Sequence, residues 1–317
     1  MKVAYVKSNK PRPFPIISVD GNNWYRSDDI IPSYLKGVVE ILCYERATEQ
    51  IKEHLAKKSI VPIDLESIQK YLIPFKPKAY RDFMLFEQHA IDAARGFVKK
   101  YLPHLLPAIE QYEVENGEIS QQLKPKQRWY DYPIYYLGNH LNFISDGDNV
   151  HIPTYTQELD YELELGVVIC KPLRNACPEE AEKAIGGFTV FNDFSARDVQ
   201  LSEMEAGFGP MKSKNFVNSI SNVVVSADEI LPIINDLQVS VTINGKKIAE
   251  NTTTGMYHSI TEAIAYASWE EQLHPGEFFG SGTVPRCTGI ENGRFLKAGD
   301  IIELEILEIG TLKNQVV

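Results

Sequence analysis

The sequence predicts an α+β fold dominated by sheet, on three observations. From residue 133 onward, "PIYYLGNHLNFIS", "YELELGVVICK", "GGFTVFNDF", "SNVVVS", "LQVSVTINGKKIAE" and "GDIIELEILEIGTLKNQVV" all read as strands, several joined by turn residues. Within them "INGKK" is a strong hairpin signal, because Asn-Gly suits a tight primed turn. Only "CPEEAEKAIG" and "SITEAIAYASWEEQL" read as helices in that half, and nothing there suggests a doubly wound fold.

The elements follow in order from the N-terminus. In residues 1–76, expected as a small N-terminal domain, "FPIISVDGNNWYRS" predicts two short strands around an Asp-Gly-Asn-Asn turn. The prolines of "YLIPFKPKAY" are spaced like a linker and place a boundary at residue 77, with a second domain over 77–317. "DFMLFEQHAIDAARGFVKKYL" carries Phe83, Phe86, Ala90, Ala93, Phe97 and Tyr101 at helical spacing. Residues 104–130 are polar and irregular, which predicts an exposed loop or hairpin.

Composition narrows the function classes. The chain has 317 residues, 44% apolar and 24% charged, as in ordinary soluble proteins. No apolar run approaches the ~18 residues of a membrane span. The N-terminus carries charges and prolines where a signal peptide needs apolar residues, so a cytoplasmic protein with no membrane partner is expected. A net charge of −11 argues against a nucleic-acid partner, which would need clustered Lys and Arg. The four cysteines form no zinc-type spacing; Cys170 reads as a core thiol, and Cys287 is the one candidate nucleophile among them.

The chemistry begins at "LDYELELGVV", residues 159–168. Asp160, Glu162 and Glu164 alternate with apolar residues, so a strand here puts all three acids on one face. Same-face neighbours lie roughly 6.6 Å apart, close enough for two Glu side chains to converge on one hard cation. The alternative is a sheet face turned to water. "FNDFSARDVQ" adds Asp193 at the end of an apolar strand, a third carboxylate of the kind an oxygen-ligated cation site needs. Arg197 and Asp198 beside it read as a structural ion pair or cap. Asp82 precedes the predicted helix, where it would cap, and His89 falls on nearly the same helical face.

These motifs together resemble the fumarylacetoacetate hydrolase family. "RDFMLFEQHA", "DYELELGVVI", "GGFTVFNDFSARDVQ", "GFGPMKSKNF", "GSGTV" and "LKAGDIIELEILEIGTLKN" occur in the family's order over residues 78–317. The resemblance implies a mixed β-roll catalytic domain behind a small N-terminal domain, assembled as a homodimer. It implies Mg²⁺, with Mn²⁺ or Ca²⁺ as substitutes, held by Asp82, Glu162, Glu164 and Asp193. His89 falls on the family's general base, Glu291 on the carboxylate that orients it, and Lys214 on the lysine that stabilises negative charge. Gln200, Thr283 and Tyr136 match substrate-contacting positions, and Asp160, which matches no ligand, is expected at the strand's solvent end.

The implied reaction is metal-dependent hydrolysis of the C–C bond of a β-diketo acid, fumarylacetoacetate- or acylpyruvate-like. The alternative is decarboxylation, isomerisation, or hydration and dehydration of a 2-keto acid. Met84 and Met204 stand where fumarylacetoacetase itself carries tyrosines, and a thioether cannot donate their hydrogen bonds. Arg286, in "GTVPRCTG", either reaches a substrate carboxylate or sits on the surface.

Overall fold

The alternation that marks the strands also decides what they bury. In the computed structural model, which describes residues 1–32 and 34–317, the strand Leu163–Ile169 is buried on both faces. Leu163, Leu165, Val167 and Ile169 enter one apolar cluster, and Val168, one step out of phase, enters another. The first cluster lies between two sheets: these residues meet Val239, Val241, Ile302, Leu304 and Leu312 from the C-terminal strands. This is the mixed α+β architecture expected.

The larger sheet runs in the order Tyr25–Arg26, Phe14–Ser18, Lys2–Ser8, Val223–Ser226, Ile185–Asn192, Leu163–Ile169, Phe278–Gly280, Tyr80–Phe83 and Tyr135–Leu137. Lys2–Ser8 pairs antiparallel with Val223–Ser226, so the N-terminal segment extends the same sheet as the later strands. The smaller sheet holds Lys246–Thr252, Gln238–Ile243, Ile301–Ile306, Gly310–Val316 and Asn149–Val150. Its hairpin turns at Asn244 (φ 53°) and Gly245 (φ 74°), the two positive φ values of a primed turn.

Three expectations change. The helix begins at Glu87 and runs to Tyr101, while Asp82 lies in the strand Tyr80–Phe83, so Asp82 neither caps the helix nor shares its face. That strand pairs parallel with Phe278–Gly280, a long-range contact that overrides the helical spacing of Phe83 and Phe86. Residues 104–130 are not loop alone: they contain the helix Leu106–Asn116 and the start of another, Gln127–Asp131. Among described residues, no helix is long and apolar enough to cross a membrane.

The acidic stripe is also interrupted. Leu159–Asp160 is a separate short strand paired with Ser195–Ala196, and Glu162 makes an isolated bridge to Thr288 before the main strand starts at Leu163. All three acids are buried, so no part of the stripe faces water, and Asp160, fully buried, does not sit at a solvent end. Its neighbours explain why.

Candidate active site

Register brings the carboxylates together. Gly280 stands opposite Asp82 on one side and Gly166 on the other, while Leu163 stands opposite Asn192. Asp82, Glu164 and Asp193 therefore meet where three strands end. One ligand oxygen from each lies within 4.8 Å of the others, and all three residues are buried. Gly280 keeps this space open: a Cβ there would fall 2.3 Å from Asp82 Oδ1 and 2.6 Å from Glu164 Oε2.

Electrostatics shows how unusual the cluster is. Burial, then the nearby Asp193 charge, pushes the Asp82 carboxyl well above its ordinary value. Burial and the Asp82 charge do the same to Glu164. Burial raises Asp193 too, against the opposing field of Lys214. Glu162 behaves oppositely: despite burial, Lys214 and Arg197 hold its carboxyl well below the usual range. Lys214 Nζ donates to Glu162 Oε2 and to Asp193 Oδ2 (2.6 Å for the latter). Glu162 thus stands just outside the tight triad, its two oxygens taken by Lys214 and Arg197.

The site fits a hard divalent cation. Every donor is a carboxylate oxygen, and Asp82 Oδ1 is buried with no hydrogen-bond partner among the described residues. Asp82, Glu164 and Asp193 would hold the ion, with Glu162 at its edge.

His89 lies in the first turn of the helix Glu87–Tyr101 and is buried. Its Nδ1 is 2.8 Å from Glu291 Oε1, on the short helix Gly289–Asn292. An ionised Glu291 can only accept, so the Nδ1–H donates and the tautomer is set. Gly96 permits this approach, because a Cβ there would meet the Ile290 carbonyl oxygen at 2.3 Å. Thr288, which caps the helix of Glu291, bridges to Glu162, so the pair is tied to the strand end that carries the carboxylates. Burial raises the Glu291 carboxyl, and its Oε2 has no hydrogen-bond partner among the described residues.

The remaining positions sort by where they sit. Tyr136 donates its hydroxyl to Asp193 Oδ2 (2.7 Å), whereas Tyr135 reaches toward Glu271, so Tyr136 is the tyrosine at the cluster. Lys214 is buried there, while Lys212 is exposed over the Tyr155 ring. Gln200 Oε1 accepts from Arg197 Nη1 (2.7 Å). Thr283 is buried in the loop that follows Gly280. Arg286 is exposed, Met84 half-buried and Met204 exposed. Cys170 and Cys287 are buried, and burial pushes the Cys287 thiol far up, which disfavours a nucleophilic thiolate.

Arg197 and Asp160 are the residues that spacing alone missed. Arg197 does not pair with Asp198; it pairs with Asp160 and Glu162, while Asp198 accepts from Thr156 and the Gln157 N–H. The available signal was a lone arginine in "FNDFSARDVQ", a few residues past Asp193 on the chain and close to a strand with two acids to neutralise.

The family model for the fumarylacetoacetate (FAA) hydrolase C-terminal domain matches residues 110–317, so Asp82 and His89 lie before the matched region. A mitochondrial oxaloacetate tautomerase of Xenopus laevis is 32% identical over 177 residues, 56% of this chain and 55% of that protein. The chain spans little more than half the length of such curated relatives. A fumarylacetoacetate hydrolase from Exiguobacterium antarcticum has the same fold, with a TM-score of 0.69 at 20% identity, covering 100% of this chain and 99% of that one. A fumarylpyruvate hydrolase from Pseudomonas aeruginosa, solved with Mn²⁺ and pyruvate, gives 0.58 at 18% identity over 78% of this chain and 92% of that one. The family match over residues 110–317, more than half of the chain, leads to one conclusion: the chain belongs to the fumarylacetoacetate hydrolase family.

Proposed function

We propose that this chain is a divalent-cation-dependent hydrolase of a β-diketo acid, fumarylacetoacetate- or acylpyruvate-like, cleaving the C–C bond between the carbonyls. The observation that carries the reading is the buried His89–Glu291 pair, 2.8 Å apart, on a turn whose Thr288 bridges to Glu162, in a chain that also gathers three buried carboxylates. A cation-binding organic acid carrier has no need of an oriented base. A hydrolase neighbour that binds Mn²⁺ and pyruvate supports the same chemistry.

A bound Mg²⁺ or Mn²⁺ would supply Lewis acidity toward the keto-acid oxygens, lowering the energy of enolate charge. The protein groups do the rest. His89, its Nδ1–H held by Glu291, takes a proton from water at Nε2, and the hydroxide attacks the acyl carbonyl carbon. The C–C bond then breaks, its electron pair leaves as an enolate, and the proton held by His89 returns to that carbon. Water is consumed, and a carboxylic acid and a keto acid are formed, a 2-keto acid from an acylpyruvate and a 3-keto acid from a fumarylacetoacetate-like substrate. Lys214 contributes fixed positive charge where the enolate develops. Tyr136, Gln200 and Thr283 orient the substrate.

A second reading has its own support. The Xenopus laevis relative is an oxaloacetate tautomerase. Keto–enol interconversion would use the same base to move one proton between carbon and oxygen, without hydroxide attack.

Ultraviolet absorbance of enolised substrates separates the two. Acylpyruvates, fumarylacetoacetate-like diacids and oxaloacetate are mixed with the protein in Mn²⁺ or in EDTA, and products are weighed by mass spectrometry. Two fragments whose summed mass includes one water establish hydrolysis. A faster keto–enol approach to equilibrium at unchanged mass establishes tautomerisation and overturns the first reading.

A further inference from the structure

We propose that Asp160 is a positioning residue, which keeps the His89–Glu291 pair in register with the carboxylate cluster. The inference rests on the reading of that pair as the acid–base machinery.

Asp160 is fully buried, yet each of its oxygens is surrounded by donors. Oδ1 accepts from the backbone N–H of Tyr161 (2.7 Å) and of Gly289 (2.6 Å). Oδ2 accepts from the Ile290 N–H (2.9 Å), the Thr288 hydroxyl (2.9 Å) and Arg197 Nε (2.7 Å). Gly289 and Ile290 open the short helix that carries Glu291. Arg197 extends the connection: its Nη2 donates to Glu162 Oε1 (2.5 Å) and to the Thr288 hydroxyl (3.0 Å). One carboxylate therefore holds both the turn that bears Glu291 and the guanidinium that bears on Glu162.

The residue type follows from the donors. Five N–H or O–H groups converge on the side chain and none accepts from it, so only an ionised carboxylate satisfies them all. An amide at the same place would turn an NH₂ toward a donor. Gly289 is needed as well, because a Cβ there would fall 2.3 Å from Asp160 Oδ1. Arg197 and the Glu162–Thr288 bridge join the same turn to Glu162, and Asp160 holds both the turn and the Arg197 guanidinium in place. Loss of the clamp frees the turn, and a misplacement of about 1 Å costs on the order of 100-fold in rate.

Asp160→Asn is the test, with the isosteric Thr288→Val as the milder variant. In ¹⁵N-histidine-labelled protein, the His89 Nδ1–H bonded to Glu291 gives a downfield proton signal, assigned by its loss in His89→Gln. Asp160→Asn is expected to lose or broaden that signal, and to lower kcat by about 100-fold with little change in KM. Thr288→Val is expected to move both readouts in the same direction by less. A natively folded Asp160→Asn that keeps the His89 signal and wild-type kcat overturns the proposal. If Asp160→Asn does not fold, an unchanged signal and kcat in Thr288→Val overturn it instead. Loss of the signal in Asp160→Asn, together with full turnover in His89→Gln, would leave the clamp standing and remove the base assignment.

Discussion

Lys214→Met is the sharpest perturbation of the carboxylate cluster. Lys214 is buried, and its ammonium is bonded to both Glu162 and Asp193. Met keeps the length and apolar stem but removes the charge, so Asp82, Glu164 and Asp193 face one another with no cation among them. Arg197 remains, committed to Glu162 and Asp160. Breaking a buried pair by deleting one partner costs about 3–5 kcal/mol, because the surviving charge stays buried. At about 2 °C per kcal/mol for a chain of this size, the melting temperature in EDTA should fall by roughly 6–10 °C. A divalent cation supplies the missing positive charge. In wild type, ion at about 100 times its Kd adds about 2.7 kcal/mol. In the variant the gain should be larger, since the ion no longer competes with an ammonium for Glu162 and Asp193. Thermal unfolding followed by circular dichroism, in EDTA and in Mn²⁺, reads both numbers. An equal loss in the two conditions, or no loss in EDTA, would refute the assignment of these carboxylates to one cation.

Other perturbations separate catalysis from stability. Glu291→Gln should lower kcat by about 100-fold, because His89 loses a charged partner. Since burial raises Glu291 above its ordinary value of 4.5, wild type loses stability as pH rises from there through the folded-state value; Gln does not titrate, so the melting temperature of the variant should gain on wild type across that window and stay level above it. A variant melting temperature that falls relative to wild type as pH rises through this window would contradict this. Gly280→Ala should weaken Mn²⁺ binding at least about 10-fold, measured by electron paramagnetic resonance, because its methyl group would occupy the space between Asp82 and Glu164. Cys287→Ala should retain turnover, and iodoacetamide on the native protein should label exposed Cys177 while sparing buried Cys287.

What the sequence made legible was whatever one element determines alone. Glu162 and Glu164 share a face because a strand has period two, and no distant partner is needed to know it. The Asn244–Gly245 turn is legible for the same reason. The place of Asp82 is not legible locally because its strand forms through pairing with distant segments, Tyr135–Leu137 and Phe278–Gly280, while Phe83 and Phe86 happen to continue the helical spacing. The helix Leu106–Asn116 was missed because only Ile109 in it is buried, which leaves almost no apolar stripe to read. His89 and Glu291 lie 202 residues apart, and no periodicity links them; the family resemblance paired them.

The stripe itself shows why local pattern stops short of chemistry. Asp160, Glu162 and Glu164 are equivalent by alternation, yet the fold separates them. Glu164 shares a buried site with Asp82 and is pushed toward its protonated form, a state that a divalent cation would reverse. Glu162 stays ionised because Lys214 and Arg197 flank it. Asp160 meets five donors and ties the helix of Glu291 to Arg197. Each difference comes from a group on another segment: Gly280 beside Glu164, Lys214 beside Glu162, the turn at Thr288–Ile290 beside Asp160. An acid-to-amide change along the stripe should therefore produce three different defects. At Glu164 it should weaken cation binding, at Glu162 it should loosen Arg197 and Lys214, and at Asp160 it should uncouple the base. Equal loss of Mn²⁺ affinity in all three variants would show that the stripe acts as one cluster and that this division of roles is wrong.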